Sequence, residues 1–162
     1  MASMNGTNPS ILQLLDVHTL LEDLLLAHQT ALLDRNLPAA AHWLQQFDSQ
    51  LRQHIADEEA WILPVYAEHI DPPEGAKLIF FQSEHEKLLK SLDDLYARLM
   101  AIEPAGTPLQ FGDILAPPAP SQVSAREIIA LLDRESSFKD LLQHHDARER
   151  SFLYPLLAAH LP

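Results

Sequence analysis

The sequence predicts an all-α fold, an up-down-up-down four-helix bundle with a long proline-rich connection between its third and fourth helices. Three observations carry that prediction. Four long segments place apolar residues at alternating spacings of three and four, the mark of helices with one buried stripe. No segment alternates apolar and polar residues as a half-buried strand does. The first two links between segments are short, which makes neighbouring helices antiparallel.

The first helix is expected from about Ser10, after Asn8-Pro9, to about Arg35, with Ile11, Leu14, His18, Leu21, Leu25, His28 and Leu32 inward. The second opens near Pro38, a residue that suits a first helical turn, and ends before Asp71-Pro72-Pro73. Its stripe reads Leu44, Phe47, Leu51, His54, Glu58, Trp61 and Val65, and Pro64 inside it predicts a kink or weakened turn. The third runs from about Pro73 to Ile102 with Leu78, Phe81, His85, Leu88, Leu92, Leu95 and Leu99 inward. Residues 103–123 hold five prolines and read as an irregular connection. The fourth opens on Ser124 and Glu127, a capping-box pattern, and continues to about His160. Its stripe is Ile128, Leu131, Phe138, Leu142, His145, Glu149, Phe152 and Leu156.

The chain of 162 residues fits a single domain, with the bundle over about 10–160, large enough for a core without disulfides. It has no cysteine, which removes disulfides, thiolate metal sites and a cysteine nucleophile. A net charge of −12 argues against nucleic acid as a partner, because phosphate binding needs clustered Lys and Arg. The N-terminus lacks the charged and apolar regions of a signal peptide, and no run is long and apolar enough to span a membrane. A cytoplasmic protein with no membrane partner is the expectation. With four glycines a phosphate cradle is not expected, and no nucleophile–base triad or zinc-hydrolase signature is present.

Each of the four stripes carries a histidine where an apolar residue is expected: His18, His54, His85 and His145. HIADEEAWILP at 54–64 and HDARERSFLYP at 145–155 repeat one plan: a histidine, a glutamate four residues on, an aromatic at seven and a proline at ten. Residues four apart lie one above the other on a helix face, so His54 with Glu58, and His145 with Glu149, point inward together. Counted from the turn near Leu37, His18 lies 19 residues before it and His54 17 after, so at ~1.5 Å per residue they share a level. Glu58 and His85 match similarly around Pro72. Four imidazoles and two carboxylates therefore converge on one layer. Leaving such groups buried and unpaired costs on the order of 2–7 kcal/mol each, a cost that metal ligation removes.

Glu22 also follows His18 by four residues, but its level is displaced toward the turn. It is a possible extra ligand and otherwise a partly exposed acid. Glu84 and Glu86 flank His85 and are expected to face solvent, with either able to accept an imidazole N–H. His28 lies too far along the axis from His18 to join the layer. His144 points away from the face of His145, and His42, His69 and His160 sit near helix ends.

The stretches DVHTLLEDLLL at 16–26, HIADEEAWILPVY at 54–66, EHEKLLKSL at 84–92 and HDARERSFLYPLL at 145–157 resemble the hemerythrin-like (HHE cation-binding) domain family. The resemblance covers the chain apart from its first ten residues and the proline-rich connection. It implies a four-helix bundle holding two iron ions in an oxo- or hydroxo-bridged di-iron centre. His18, His54, His85 and His145 would then be terminal ligands, and Glu58 and Glu149 the bridging carboxylates. The oxygen-carrying hemerythrins have a second histidine four residues after that of the third helix, where this chain has Leu89. Their last carboxylate is an Asp five residues after its histidine, whereas Glu149 follows His145 by four. The pattern is closer to the four-histidine, two-glutamate branch linked to iron–sulfur cluster repair and nitric oxide stress. That branch has an additional cysteine-bearing segment, which this sequence lacks.

The ligand set suits iron, manganese or zinc. The functional expectation is a redox-active di-iron protein that binds or reduces O2, NO or hydrogen peroxide, or handles iron under oxidative or nitrosative stress. Leu21, Leu25, Leu88 and Leu89 would wall a dry pocket around the open metal positions. The alternative is a metal-dependent iron or oxygen sensor or interaction module without turnover, in which metal binding supplies folding energy to be read by a protein partner.

Overall fold

A computed structural model describes residues 10–102 and 123–160. Among these the chain is helical, and no strand occurs. Helix α1 spans Ile11–Leu33, α2 Leu37–Asp57, α3 Leu63–His69, α4 Leu78–Ile102, α5 Ala125–Arg148 and α6 Tyr154–Leu157. Five-residue π segments, Glu58–Ile62 and Glu149–Leu153, join α2 to α3 and α5 to α6, so four long helical rods result. Helix α1 packs on α2 and α5, and α4 packs on α2 and α5. The expected connection over 103–123 lies outside the described residues except for Val123, which is buried.

Local chemistry sets the ends of the rods. Ser10 and Ser124 each cap a first turn through a capping box, with Gln13 and Glu127 returning the bond. Between α1 and α2, Arg35 adopts φ 56°, a left-handed position for a residue with a Cβ, and Asn36 then caps α2 at Ala39. The third rod begins later than expected, at Leu78 rather than Pro73. Pro73 and Lys77 are extended, with a short 3-10 turn, Glu74–Ala76, between them.

The two π segments correct the sequence reading of the inward face. In each, the backbone N–H that closes the turn reaches five residues back, from Leu63 to Glu58 and from Tyr154 to Glu149. Each is followed, one residue on, by Pro64 or Pro155, whose ring would clash with the carbonyl four residues earlier in a regular helix. The wider turn adds one residue before the proline and advances the register by one. Trp61 and Leu156, expected inward, are therefore exposed, and Val65 and Phe152 are only partly buried. Their neighbours Ile62, Tyr66, Leu153 and Leu157 take the core positions.

The apolar core has two parts. One, containing Leu21, Leu25, Leu51, Leu88 and Leu142, fills the α1–α2 turn half. The other, containing Leu14, Ile62, Phe81 and Leu153, fills the opposite end. Each rod passes from one part to the other at its inward histidine.

Candidate metal centre

His18, His54, His85, His145, Glu58 and Glu149 are all buried and meet in the layer between the two apolar clusters. The depth match inferred from residue counts is present in the structure. Two donor sets overlap there: His18, His54, Glu58 and Glu149, and His85, His145, Glu58 and Glu149. Within each set the ligand atoms lie within 4.8 Å of one another, and both carboxylates belong to both sets. Either set could hold a metal ion.

The four imidazoles turn the same edge inward. His18 Nε2 lies 2.9 Å from His54 Nε2 and 3.1 Å from Glu149 Oε2. His145 Nε2 is 2.7 Å from Glu149 Oε1, and His85 Nε2 is 3.3 Å from Glu58 Oε2. His54 Nε2 stands 3.6 Å from Glu58 Oε1. Despite these approaches, His85 Nε2, His145 Nε2, Glu58 Oε2 and both Glu149 oxygens lack a partner with hydrogen-bond geometry. Apart from the His18–His54 contact, these donors crowd together without bonding one another and are aimed at shared points between them. Buried atoms left in that state are costly, and a cation at those points satisfies them.

On the outward edge, carboxylates hydrogen-bond two of the rings and a third carboxylate lies against His18 without hydrogen-bond geometry. His85 Nδ1 donates to Glu59 Oε1 at 2.7 Å, His145 Nδ1 to Glu84 Oε2 at 3.1 Å, and His18 Nδ1 pairs with Asp146. An imidazole that gives its Nδ1–H to a carboxylate presents a lone pair at Nε2, the form in which histidine binds metal. These three acids follow a rule invisible along one helix: each neighbours a predicted ligand in sequence but serves the imidazole of another rod. The sequence reading gave Glu84 as expected to face solvent, with acceptance of an imidazole N–H as the other option. It is buried and takes the second role, held by Arg148 Nε at 2.9 Å, while Glu86 is exposed. Arg148 also donates to the Gly75 carbonyl and lies over the Phe80 ring. Tyr154, which sequence reasoning missed, is buried and donates its O–H to Glu58 Oε1.

The electrostatics are those of a crowded site that holds protons. Burial raises the Glu58 carboxyl, the neighbouring Glu149 charge adds to it, and it stands at about 7. Burial acts on Glu149 in the same sense, but His145, His18 and His85 outweigh it and hold that group well below the ordinary carboxylate value. Burial depresses His85 and His145, yet the carboxylates around them prevail and carry the two rings up to about 10 and about 9. His18 is raised in the same balance. His54 has no carboxylate on its outer edge, and burial lowers it to about 3.

Other candidates separate from the layer. Glu22 is exposed and belongs to neither donor set. Leu21 and Leu25 line a cavity beside the layer, but Leu88 is core and Leu89 partly buried, and neither lines it. His144 is exposed, as expected, and His69 stacks on His160 with ring centroids 5.0 Å apart. His28 is away from the layer but wholly buried, with Nδ1 donating to the Ala40 carbonyl at 2.7 Å and Nε2 2.7 Å from Glu135 Oε1. Glu135 escaped the sequence reading, although its place between Leu131 and Phe138 marked an inward position.

The chain matches no family model, no curated protein and no solved structure. Its helical rods and buried His/Glu cluster are compatible with a hemerythrin-like fold.

Proposed function

We propose that this chain is a single hemerythrin-like domain, an up-down-up-down four-helix bundle, whose buried layer holds two metal ions. His18 and His54 would hold one, His85 and His145 the other, and Glu58 and Glu149, which belong to both donor sets, would be shared between them. The observation that carries this reading is the pair of four-residue donor sets sharing both carboxylates. Iron is the first choice for the metal, with manganese or zinc also suited to imidazole and carboxylate.

Two iron ions bound there would supply redox chemistry toward O2, NO or hydrogen peroxide. The chain's own residues supply the setting. Glu59 and Glu84 hold the Nδ1 protons of His85 and His145 and leave their Nε2 free to ligate, while Asp146 lies against His18 Nδ1. Glu58 and Glu149 place two negative charges between the cations, and the Tyr154 O–H fixes one Glu58 oxygen. Each donor set offers four protein residues, fewer than iron commonly takes, so a small ligand would have room to bind. The cavity beside His18, His54 and His145 gives it a route. On this reading the protein binds or reduces a diatomic or peroxide, or handles iron under stress.

Metal analysis and optical spectroscopy of protein purified from its own host test the proposal. About two irons per chain, with bands that shift on adding NO, are expected. His54→Ala and Glu58→Ala are expected to lose metal and melt at lower temperature. Unchanged metal content in both variants would overturn the ligand assignment.

A further inference from the structure

His28 on α1 and Glu135 on α5 are wholly buried, and both lie outside the His/Glu layer. His28 Nδ1 donates to the Ala40 carbonyl of α2, and its Nε2 lies 2.7 Å from Glu135 Oε1, with room for one hydrogen between them. The pair therefore ties α5 to both helices of the first hairpin. Among the described residues it is the only hydrogen bond or ion pair between α5 and α1 or α2 besides the His18–Asp146 contact at the layer.

Its place along the two helices matches. His28 follows His18 by ten residues on α1, and Glu135 precedes His145 by ten on α5. At ~1.5 Å per residue both members stand about 15 Å from the layer. One axial position of α5 thus satisfies the pair and the layer together.

Little else in this half of the core selects that position. Three residues link α1 to α2, but twenty separate Ile102 from Val123, and a link of that length reaches several registers. A slide of α5 by one turn brings Leu131 or Phe138 to His28, and Glu135 to Leu25 or Leu32, all of them core residues. Apolar side chains tolerate such an exchange, whereas the imidazole and the carboxylate would each be buried unpaired. Nor can the layer align itself before metal binds, because several of its own donor atoms lack partners. Glu135 Oε2 is also buried without a partner, a cost that an apolar pair would avoid. Fixing register is the use of buried polar residues that offsets such a cost.

We propose that His28 and Glu135 are positioning residues that fix the axial register of α5 on the α1–α2 hairpin. They bring His145 and Glu149 level with His18 and His54 before metal arrives. The link to metal rests on the proposed function; the register itself does not.

The chain has no cysteine, so spin labels can be set at Leu12→Cys and Ile129→Cys, both exposed positions. Along the axes these lie ~33 Å apart, and a one-turn slide shifts that separation by about 5 Å. Pulsed dipolar spectroscopy of the metal-free chain should give one distance. His28→Leu/Glu135→Leu should keep the parent's helical content yet show at least one further distance. His28→Gln, whose amide can still donate to Glu135, should keep the single distance. In unlabelled chains, the manganese(II) affinity of the leucine variant should fall by the inverse of the fraction left at the parent distance, about twofold if half the chains have slid. A single parent distance in the leucine variant, its unfolding, or several distances in the parent would overturn the proposal. Unchanged affinity beside a split distance would overturn the link to the layer. A parent chain that binds no manganese would sink the metal reading, while the metal-free distances would still decide the register.

Discussion

Glu84 shows how one residue outside the donor sets governs the site. It accepts from His145 Nδ1 and is gripped by Arg148, which is itself anchored at Gly75 and Phe80. Burial would raise its pKa, but the His145 hydrogen bond and Arg148 hold it below the ordinary glutamate value, so it is a carboxylate near neutrality. Glu84→Gln keeps the shape and removes the charge. The expected result is a metal affinity lower by about 10- to 100-fold, measured by competition with a chelator, while the helical content is unchanged. An affinity within twofold of the parent would mean that the His145–Glu84 bond does not orient the ring for metal. The flanking acids were present in the sequence as Glu59, Glu84 and Asp146. Which imidazole each one serves was not, because the pairing runs between rods.

At the scale of the elements, the π segments decide which side chains reach the core. A regular helix would carry Trp61 and Phe152 inward; the observed turns carry Ile62 and Leu153 instead. The prediction is a contrast between neighbours. Ile62→Ala should cost about 2–5 kcal/mol, as deletion from a packed core does, and Trp61→Ala no more than about 1. Denaturant titration of both variants checks it, and a larger loss from Trp61→Ala would mean that the turn is a regular α-helix. The two prolines were legible in the sequence and forecast a disturbance. Its form, a widened turn beginning at the glutamate itself, was not, since periodicity assumes a constant 3.6 residues per turn.

For the whole molecule, the polar layer makes stability depend on metal and on pH. A layer with several unpartnered buried atoms is a defect in the metal-free protein, so metal binding adds to folding free energy. Chelation is expected to lower the melting temperature, and metal to restore it, with the shift growing as free metal rises. A melting temperature indifferent to metal would count against the ligand assignment. In the metal-free chain, His85 at about 10, His145 at about 9 and Glu58 at about 7 all sit above their ordinary values. Groups raised on folding stabilise most when protonated, so their contribution fades as pH climbs through those values. Glu58 has given up its share by about pH 7, and His85 and His145 give up theirs from about pH 6.5 to 10, so the metal-free protein should lose stability as pH rises from 7 to 10. Metal competes with the same protons, so its affinity should rise over that interval. Melting curves and metal titrations at pH 7, 8.5 and 10 check both signs.

What the sequence by itself determined was the periodic framework and the identity of the six inward polar residues. Hydrophobic spacing and rise per residue are local quantities, and they sufficed to bring His18, His54, His85, His145, Glu58 and Glu149 to one level. Only the tertiary structure decided which donors share a cation-sized space, which acid holds which imidazole, and that Tyr154 reaches Glu58 across 96 positions of sequence. It also decided that His28 and Glu135 form a separate buried pair and that Leu21 and Leu25, but not Leu88 and Leu89, face a cavity. The reason is physical. Those relations depend on the rotation and separation of packed helices, and a one-residue shift in a single turn redirects every side chain that follows it.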